Sequence, residues 1–312
     1  KGVAMANRDK GDHIIVSNIE HNAVNRSIKR LSGMGYRVTS VSVDGKGRVN
    51  IAEVEKAITD KTILISIMHS NNETGTLQPV AEIAEIAKKK KVLFHTDAVD
   101  SVGVVPMDVQ ALGADLVSFA SNPFYGPTGV GGLYVRRGVK IWPILDGGLQ
   151  ENSRRAGTEN LLGIIGMGAA AELAHQEMSE RVEKLSRLRN YMLDQMPRYI
   201  DDFFVNTDLS HSLPHVLSIS VQYIEGESVM LMLDDEGFSV STRSACATGS
   251  LRASHVLMSL GLSHADAQGT LVLALGIENT EAHVDRFLEA LGRVVKTLRD
   301  ISPLYQKMKS TE

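Results

Sequence analysis

The sequence predicts an α/β fold in which a large, mainly parallel sheet is followed by a smaller α+β lobe. Short apolar runs alternate with amphipathic helical segments from Gly11 to residue 136, a pattern typical of parallel sheets covered on both faces. The 312 residues exceed the size at which a single hydrophobic core usually stops growing. We therefore expect a large domain over residues 1–200 and a small domain over residues 201–312 that carries Cys246.

The elements of the large domain follow from local patterns. Strands are predicted where short apolar or alternating runs are bounded by turn residues, and helices where apolar residues recur every three or four positions. The predicted strands are residues 13–17, 36–43, 62–68, 92–97, 116–120 and 131–136, the last of which turns back antiparallel. The predicted helices are residues 23–34, 51–58 and 79–91, and the residues before Gly11 have the pattern of a helix end.

The C-terminal third has a different pattern. Residues 169–196 predict one long helix with heptad-like spacing, suited to bridging the two lobes. Residues 214–221 and 238–242 predict strands, and residues 280–298 predict a further helix. Strands and helices of this number and length indicate a small α+β lobe.

Composition excludes several classes of protein. No stretch approaches about 18 unbroken apolar residues, so no membrane span is predicted. The 33 Lys and Arg residues against 37 Asp and Glu give a net charge of −4, whereas nucleic-acid-binding proteins usually carry a basic excess. The single cysteine cannot form an intrachain disulfide, which favours a reducing compartment and predicts a cytoplasmic protein.

Polar clusters follow four of the predicted strands. In parallel α/β sheets the functional site lies outside the carboxyl ends of the strands. The clusters occupy residues 20–21, 71–75, 95–100 and 121–129, and together they supply a histidine, an amide, a carboxylate and a loop rich in Gly and Pro. Each cluster alone is weak evidence, because an Asp can simply cap a helix, a His can be a satisfied polar group and such a loop is usually a turn.

In this order, however, the clusters resemble a known family. The motifs are Glu20-His21-Asn22-Ala23-Val24, Met68-His69-Ser70-Asn71-Asn72-Glu73-Thr74-Gly75, His95-Thr96-Asp97-Ala98, Tyr125-Gly126-Pro127, Arg155-Ala156-Gly157-Thr158-Glu159-Asn160 and Ser244-Ala245-Cys246. From residue 1 to about residue 298 the chain resembles the NifS/IscS-like cysteine desulfurases, class V aminotransferases of the fold-type-I pyridoxal-phosphate (PLP) superfamily. The resemblance implies a seven-stranded type of sheet, PLP as cofactor, L-cysteine as substrate, a homodimer, and a sulfur-acceptor or iron–sulfur scaffold protein as partner.

The resemblance also implies roles for individual residues. His21 resembles the histidine that stacks on the pyridine ring and moves protons. Asn72 matches the amide that contacts the phenolic oxygen, and Asp97 matches the carboxylate that pairs with the protonated ring nitrogen. Thr158 resembles the residue that reaches the phosphate across a homodimer interface.

Cys246 resembles the nucleophile that takes sulfur from the substrate as a persulfide. A thiol suits this step, because the thiolate is nucleophilic near neutral pH once its pKa is lowered. The alternative is a small buried apolar side chain. Because Ser, Thr, Ala and Gly flank Cys246 in a predicted loop, we expect a reactive thiol.

The departures from the family pattern fall on the pocket. The family has His-Lys before its Tyr-Gly-Pro element, and that lysine forms the Schiff base with PLP. Here those positions are Asn122 and Pro123, and no lysine lies between Lys91 and Lys140. Losing a general base alone typically costs about 10²–10⁴-fold in rate.

Four further positions differ. Ala120 replaces a phosphate-binding serine, Ser70 replaces a valine, and Asp100 replaces a glutamine that serves the phenolic oxygen. Val272 aligns with the arginine that grips the substrate carboxylate, a clamp whose charge-assisted bonds contribute on the order of 2–3 kcal/mol. Asp97 and Asp100 would both face an anionic cofactor, and close carboxylates push one pKa upward. The family's N-terminal segment, with its Gly-Ala-Thr phosphate loop, would lie before residue 1.

Three interpretations follow. The chain is a family-like desulfurase, a pseudoenzyme that serves as a dimeric binding or sulfur-relay module, or a protein whose pocket was remodelled by selection or design for another ligand. We expect a desulfurase-like homodimer that is impaired or inactive, forms no Schiff base, and binds PLP weakly or not at all through His21, Asn72, Asp97, Asp100 and Thr158.

A metal site is a variant of the remodelled pocket. His21, His69, His95, Asp97 and Asp100 include possible sets of two His and one carboxylate. The stronger interpretation is that His69 and His95 are residues these strands carry in the resembled family in any case, so no metal is predicted.

Overall fold

The chain divides into two compact units. The computed structural model describes residues 1–242 and 253–309. The first unit comprises Lys1–Asp44, Arg48–Asn72 and Leu77–Met178, and the second comprises Gly45–Gly47, Glu73–Thr76 and Ser179–Glu312. The boundary predicted between residues 200 and 201 lies within the second unit.

A largely parallel sheet forms the centre of the first unit. Its strands are β1 (His13–Ser17), β2 (Arg37–Val41), β3 (Thr62–Ser66), β4 (Leu93–Asp97), β5 (Leu116–Ala120) and β6 (Gly131–Val135). Their order is β2-β1-β3-β4-β5-β6, and only β6 runs antiparallel to its neighbour. The predicted fold class and the reversal of the last strand are confirmed. The sheet has six strands within the described residues, where the family resemblance implied seven.

Helices cover both faces of this sheet. They are α1 (Gly2–Ala6), α2 (Asn22–Gly33), α3 (Ile51–Ala57), α4 (Val80–Lys89) and α5 (Val109–Leu112). Two further helices of this unit are α6 (Gln150–Ser153) and α7 (Leu161–Gln176). One apolar cluster joins Val54 of α3 and Ile83 of α4 to Phe94 of β4. A second joins Val3 of α1 and Leu31 of α2 to the strands. Burial on both faces explains why β1 and β3 are fully buried along their length.

The helix ends are set by particular side chains. Asn50 precedes α3, and its side-chain oxygen accepts hydrogen bonds from the N–H groups of Ala52 (3.0 Å) and Glu53 (3.4 Å). Beyond α4, Lys91 adopts a left-handed conformation with φ 57°, which ends the helix and turns the chain into β4.

The second unit is an α+β structure, as predicted. Strands β7 (Phe203–Val205), β8 (Val216–Val221) and β9 (Thr270–Ala274) form an antiparallel sheet in that order. The helices are α8 (Met178–Gln195), which starts at the unit boundary, α9 (Gly226–Asp235), α10 (His255–Ser259), α11 (His264–Gln268), α12 (Glu281–Ile301) and α13 (Pro303–Lys309). Leu217, Ile219 and Leu288 lie in its apolar core.

Two sequence predictions for the C-terminal third are wrong. The single helix over residues 169–196 is two helices, because α7 ends at Gln176 and α8 begins at Met178. The intervening Glu177 has φ −97° and ψ 3°, and no Gly or Pro marks the break. The strand predicted at residues 238–242 is only an isolated bridge between Ser241 and Val272. No helix of the described ranges is long and apolar enough to cross a bilayer.

Candidate active site

The parallel strands of the first unit bring the predicted polar clusters to one edge. Because β1, β3, β4 and β5 run in the same direction, their carboxyl ends meet there. Asp97 is the last residue of β4, and its register partner on β5 is Ser118. His21 follows β1 and Asn72 follows β3, so both precede helices or turns at this same edge.

Asp97 is a half-buried carboxyl held by backbone groups. Its Oδ1 accepts a hydrogen bond from the N–H of Val99 (3.1 Å), and its carbonyl accepts one from the N–H of His69 (2.8 Å). Burial raises the pKa of Asp97 above its usual value, while the Val99 bond and the nearby His21 ring lower it by smaller amounts. Such a carboxyl can accept a proton or pair with a protonated ring nitrogen.

His21 is placed by the start of α2. Its Nδ1 accepts a hydrogen bond from the N–H of Ala23 (3.2 Å), so the side chain caps the helix. The acceptor role assigns the lone pair to Nδ1 and leaves Nε2 to face solvent or a ligand. An exposed imidazole fixed in this way lies at the carboxyl edge of the sheet.

Glu20 is the buried acid of this edge, and the sequence analysis gave it no role. Its Oε1 accepts hydrogen bonds from Ser17 Oγ (2.6 Å) and from the N–H of Met68 (2.9 Å), which ties the ends of β1 and β3 together. Burial raises its pKa to about 8, the two hydrogen bonds oppose that rise, and the negative charge of Asp97 adds to it. The sequence did contain a signal for this residue, because an acidic side chain closely follows the predicted buried strand at residues 13–17.

The end of β3 contains a buried hydroxyl network. Nδ1 of His69 lies 2.7 Å from Ser101 Oγ, and Ser70 Oγ lies 2.6 Å from the same atom. Burial lowers the pKa of His69 to about 4, so the ring is neutral at physiological pH. Ser70, one of the changed family positions, is therefore a satisfied buried residue. Next to it, Asn71 donates from Nδ2 to the carbonyl of Ile19 (3.0 Å) and holds the turn after β1.

The end of β5 contains the position where the family has its lysine. Asn122, Pro123 and Phe124 form a single 3₁₀ turn after the half-buried Ala120. Asn122 is exposed, Pro123 is half-buried and Phe124 is fully buried. Proline fits the first turn of a helix, where its missing N–H leaves no partner unsatisfied. The turn thus accommodates Pro123, and it offers an amide and a pyrrolidine ring but no amine.

His95 lies on β4 two residues before Asp97. Its Nδ1 lies 2.7 Å from Ser66 Oγ on β3, and its Nε2 lies 2.8 Å from Ser118 Oγ on β5. Burial lowers the pKa of His95 to about 4. Both ring nitrogens are engaged in joining three strands. Nowhere in residues 1–242 and 253–309 does a group of three or more His, Cys, Asp or Glu residues come together to hold a metal ion, so the geometry gives the metal variant no support.

Four predicted site residues remain to be placed in the chain. Asp100 is half-buried in the turn after β4, and Thr158 is exposed between α6 and α7, where its carbonyl accepts a hydrogen bond from the Arg155 guanidinium (3.4 Å). Val272 is a core residue of β9 in the second unit, paired in register with Ser218. Cys246 lies outside the described residues.

These side chains fit the ring of a PLP-type cofactor and do not fit its covalent attachment. Asp97 can pair with a protonated ring nitrogen, and the exposed His21 can cover a ring. The turn after β5 itself supplies no primary amine, because no lysine lies between Lys91 and Lys140 in the sequence. The fold and this edge define a protein of the PLP-dependent α/β class.

Comparison with known proteins identifies the family. The family model described as Aminotransferase class-V matches residues 2–287. The chain is 46% identical over 309 residues to cysteine desulfurase IscS of Dictyoglomus turgidum, covering 99% of this chain and 78% of that protein. It is 48% identical over 307 residues to cysteine desulfurase IscS of Methanosarcina thermophila, covering 98% and 76%. This chain belongs to the cysteine desulfurase family of the class V aminotransferases.

Solved structures agree with this assignment. A NifS-like protein superimposes with a TM-score of 0.89 at 38% identity, covering 95% of this chain and 78% of that one. A NifS-like protein from Rickettsia africae superimposes with a TM-score of 0.84 at 29% identity, also covering 95% and 78%. The predicted family and fold are confirmed, and PLP is the cofactor of the family. The consequence of Pro123 stays a prediction.

Proposed function

We propose that this chain is a cysteine desulfurase-family protein that does not attach PLP covalently and does not turn over L-cysteine at the family's rate. The observation that carries the proposal is the 3₁₀ turn at the end of β5, which accommodates Pro123 at the position of the family's lysine and contains no lysine of its own. Loss of the lysine removes the general base as well as the anchor, and the base alone contributes about 10²–10⁴-fold to rate.

Noncovalent binding of PLP remains open to this chain. When bound, PLP supplies an electron-withdrawing ring. Asp97 would orient the ring nitrogen, His21 would cover the ring and exclude water from one face, and Asn72 would donate to the phenolic oxygen. Thr158 would reach the phosphate of a second copy's site. Asp100 brings another acidic side chain to this edge, which disfavours an anionic ligand, so we expect weak binding.

The position at which the family has its substrate-binding arginine is also changed. Val272 is buried at 3% exposure in β9, so this position packs in the core and provides no guanidinium. A bidentate arginine contact contributes on the order of 2–3 kcal/mol, and its absence weakens carboxylate binding by about 30- to 150-fold. Substrate anchoring and cofactor anchoring are therefore both reduced.

A role as a dimeric binding or sulfur-relay module is the second candidate. Helix α7 supports it, because Leu161, Leu162 and Ile165 are 64%, 85% and 69% exposed on a helix that is apolar around its circumference. Such a helix is normally buried, and exposed apolar patches of this kind mark interfaces. We propose that a second copy of the chain covers it. The thiolate of Cys246 would then take sulfane sulfur from another donor, a persulfide that leaves as a thiol, and pass it on to an acceptor or iron–sulfur scaffold protein in the cytoplasm.

The ordered packing of one changed position also favours selected remodelling over decay. Ser70 is buried, and its hydroxyl is hydrogen-bonded to Ser101 at 2.6 Å. A buried hydroxyl without a partner would cost free energy, so the bond to Ser101 makes Ser70 compatible with a stable fold. A remodelled pocket with another ligand is consistent with the same edge geometry.

The proposal is tested by restoring the amine. Pro123→Lys should gain covalent attachment of added PLP, seen as a mass increase in the intact protein after borohydride reduction. Asn122→His changes the adjacent position without adding an amine and serves as the matched control, for which we expect no mass increase. Absence of a gain in Pro123→Lys, in a protein that remains folded, would show that the pocket has changed beyond the loss of one lysine.

A further inference from the structure

A cavity lies at the opposite edge of the large sheet from Asp97. It has a volume of about 450 Å³ and is bordered by the end of α4, by α5, and by the starts of β4 and β5. Its walls combine apolar side chains, such as Val92 and Val109, with the half-buried Tyr134. Sites for small organic ligands typically occupy about 300–1,000 Å³, so the cavity is large enough for a ligand of mononucleotide size.

Three cations and one carboxylate line this cavity. The carboxylate, Asp115, is already engaged: Arg136 donates to its Oδ1 at 2.5 Å, and the N–H of Phe94 donates to its Oδ2 at 2.8 Å. Lys88 and Lys91 are the other two cations, and neither has an ion-pair partner in the part of the chain that the structure describes. The cavity walls therefore carry a net positive charge.

The other two lysines of the same run behave differently. Lys89 lies 3.8 Å from Glu85, and Lys90 lies 3.9 Å from Glu55, and neither borders the cavity. Cations at the end of α4 are expected from the helix dipole, and that preference alone accounts for all four. The helix dipole does not explain why these four lysines fall into two groups. Within the described residues, Lys89 and Lys90 pair with carboxylates outside the cavity, whereas Lys88 and Lys91 have no carboxylate partner and line it.

The backbone at Lys91 has an unusual conformation. Its φ of 57° places a non-glycine residue in the left-handed region, at a helix end where glycine is favoured. A lysine there costs about 1 kcal/mol relative to glycine. A ligand contact made by the Lys91 side chain at the border of the cavity would offset this conformational cost.

We propose that this cavity binds the phosphate group of a small phosphorylated molecule, with Lys88 and Lys91 as the phosphate contacts and Tyr134, Val92 and Val109 as the surface for its organic part. Ammonium groups that lack carboxylate partners suit a phosphate, which carries close to two negative charges near neutral pH. The site is separate from the candidate active site, because it lies at the amino ends of β4 and β5.

Calorimetric titration with ADP tests the proposal on the whole chain. Removing two charge-assisted contacts in Lys88→Gln/Lys91→Gly should weaken ADP binding by roughly tenfold or more. Glycine suits the left-handed backbone at position 91, so the variant should unfold at the same temperature as the parent or at a higher one. Adenosine, which lacks phosphate, should not bind detectably at the concentrations at which ADP saturates.

The matched control is Lys89→Gln/Lys90→Gln, which removes the same charge from the same run outside the cavity. We expect this control to bind ADP within about twofold of the parent at moderate salt, where long-range electrostatic effects are screened. Absence of ADP binding at millimolar concentration, equal weakening in both double variants, or adenosine binding as tightly as ADP would each overturn the proposal.

Discussion

Two acidic side chains at the carboxyl edge of the sheet, Asp97 and Glu20, differ in how deeply they are buried. Asp97 is half-buried beside His21 and remains able to face a ligand. Glu20 is fully buried, and its Oε1 joins two strands through Ser17 and Met68. Because burial raises the pKa of Glu20 to about 8, this group holds a proton at neutral pH and spares Asp97 a second nearby charge.

Glu20 predicts a distinct dependence of stability on pH. The folded protein keeps its proton up to a pKa of about 8, whereas an unfolded glutamate releases it near its ordinary value. Between these values the folded state binds more protons, so the free energy of unfolding falls as pH rises, by at most about 1.4 kcal/mol per pH unit. Glu20→Gln keeps an acceptor for both hydrogen bonds and should lack this slope. Urea unfolding at pH 6 and pH 9 measures it, and identical slopes in parent and variant would refute the assignment.

Some residues of the candidate active site could be predicted from the sequence, and some of their contacts could not. Asp97 and His21 were predicted from their places after strands, and the structure puts both at the expected edge. The bond between Ser70 and Ser101 could not be predicted, since it joins residues from different turns whose separation only the fold determines. Glu20 was visible as an acid after a strand, but its burial depends on the neighbouring strand β3.

At the scale of elements, the turn that holds Pro123 depends on close packing beneath it. Phe124, the last residue of the 3₁₀ turn, is fully buried against Gly103 in the loop after β4. A Cβ atom at Gly103 would lie 2.6 Å from Cβ of Phe124, closer than such atoms approach. Because Gly103 has no Cβ atom, Phe124 and the 3₁₀ turn can pack this closely against the loop after β4.

Gly103→Ala should lower the free energy of unfolding by more than the cost of placing alanine in a left-handed backbone conformation, because the added Cβ would also collide with Phe124. Gly103 has φ 91°, and Gly138 has φ 92° with nothing within 4 Å of an added Cβ. Gly138→Ala is thus a matched control that carries only the cost of the left-handed backbone, about 1 kcal/mol. We expect Gly103→Ala to cost about 2 kcal/mol more than the control, measured by chemical unfolding. Equal costs would mean that Phe124 moves freely and does not fix the turn.

The elements that were predicted correctly share a physical feature. Strands β1 and β5 have the predicted limits, because apolar runs bounded by turn residues define them locally. The break at Glu177 has no local marker, and the segment at residues 238–242 forms only the bridge to Val272. Strand β7 has three residues and was missed, since so short a run carries no periodicity.

For the whole molecule, the exposed apolar helix α7 predicts self-association. Leu162→Glu/Ile165→Glu places charges on the most exposed apolar positions of α7 and should convert a dimer to a monomer without unfolding it. Ile301→Glu is the control, because Ile301 is 73% exposed on α12 in the other unit. Light scattering after size exclusion measures the mass. A monomeric parent, or a dimer that survives both charges, would contradict this role of α7.

Pro123 should prevent the attachment of PLP to a lysine, and a single spectroscopic experiment with mass analysis can refute this. The purified chain is mixed with PLP, its visible absorption is recorded, and the intact mass is measured after borohydride reduction. We expect no band of a lysine-bound cofactor and no increase in mass. A band together with a stable adduct on any lysine would contradict it, because another amine would then have taken the place of the missing side chain.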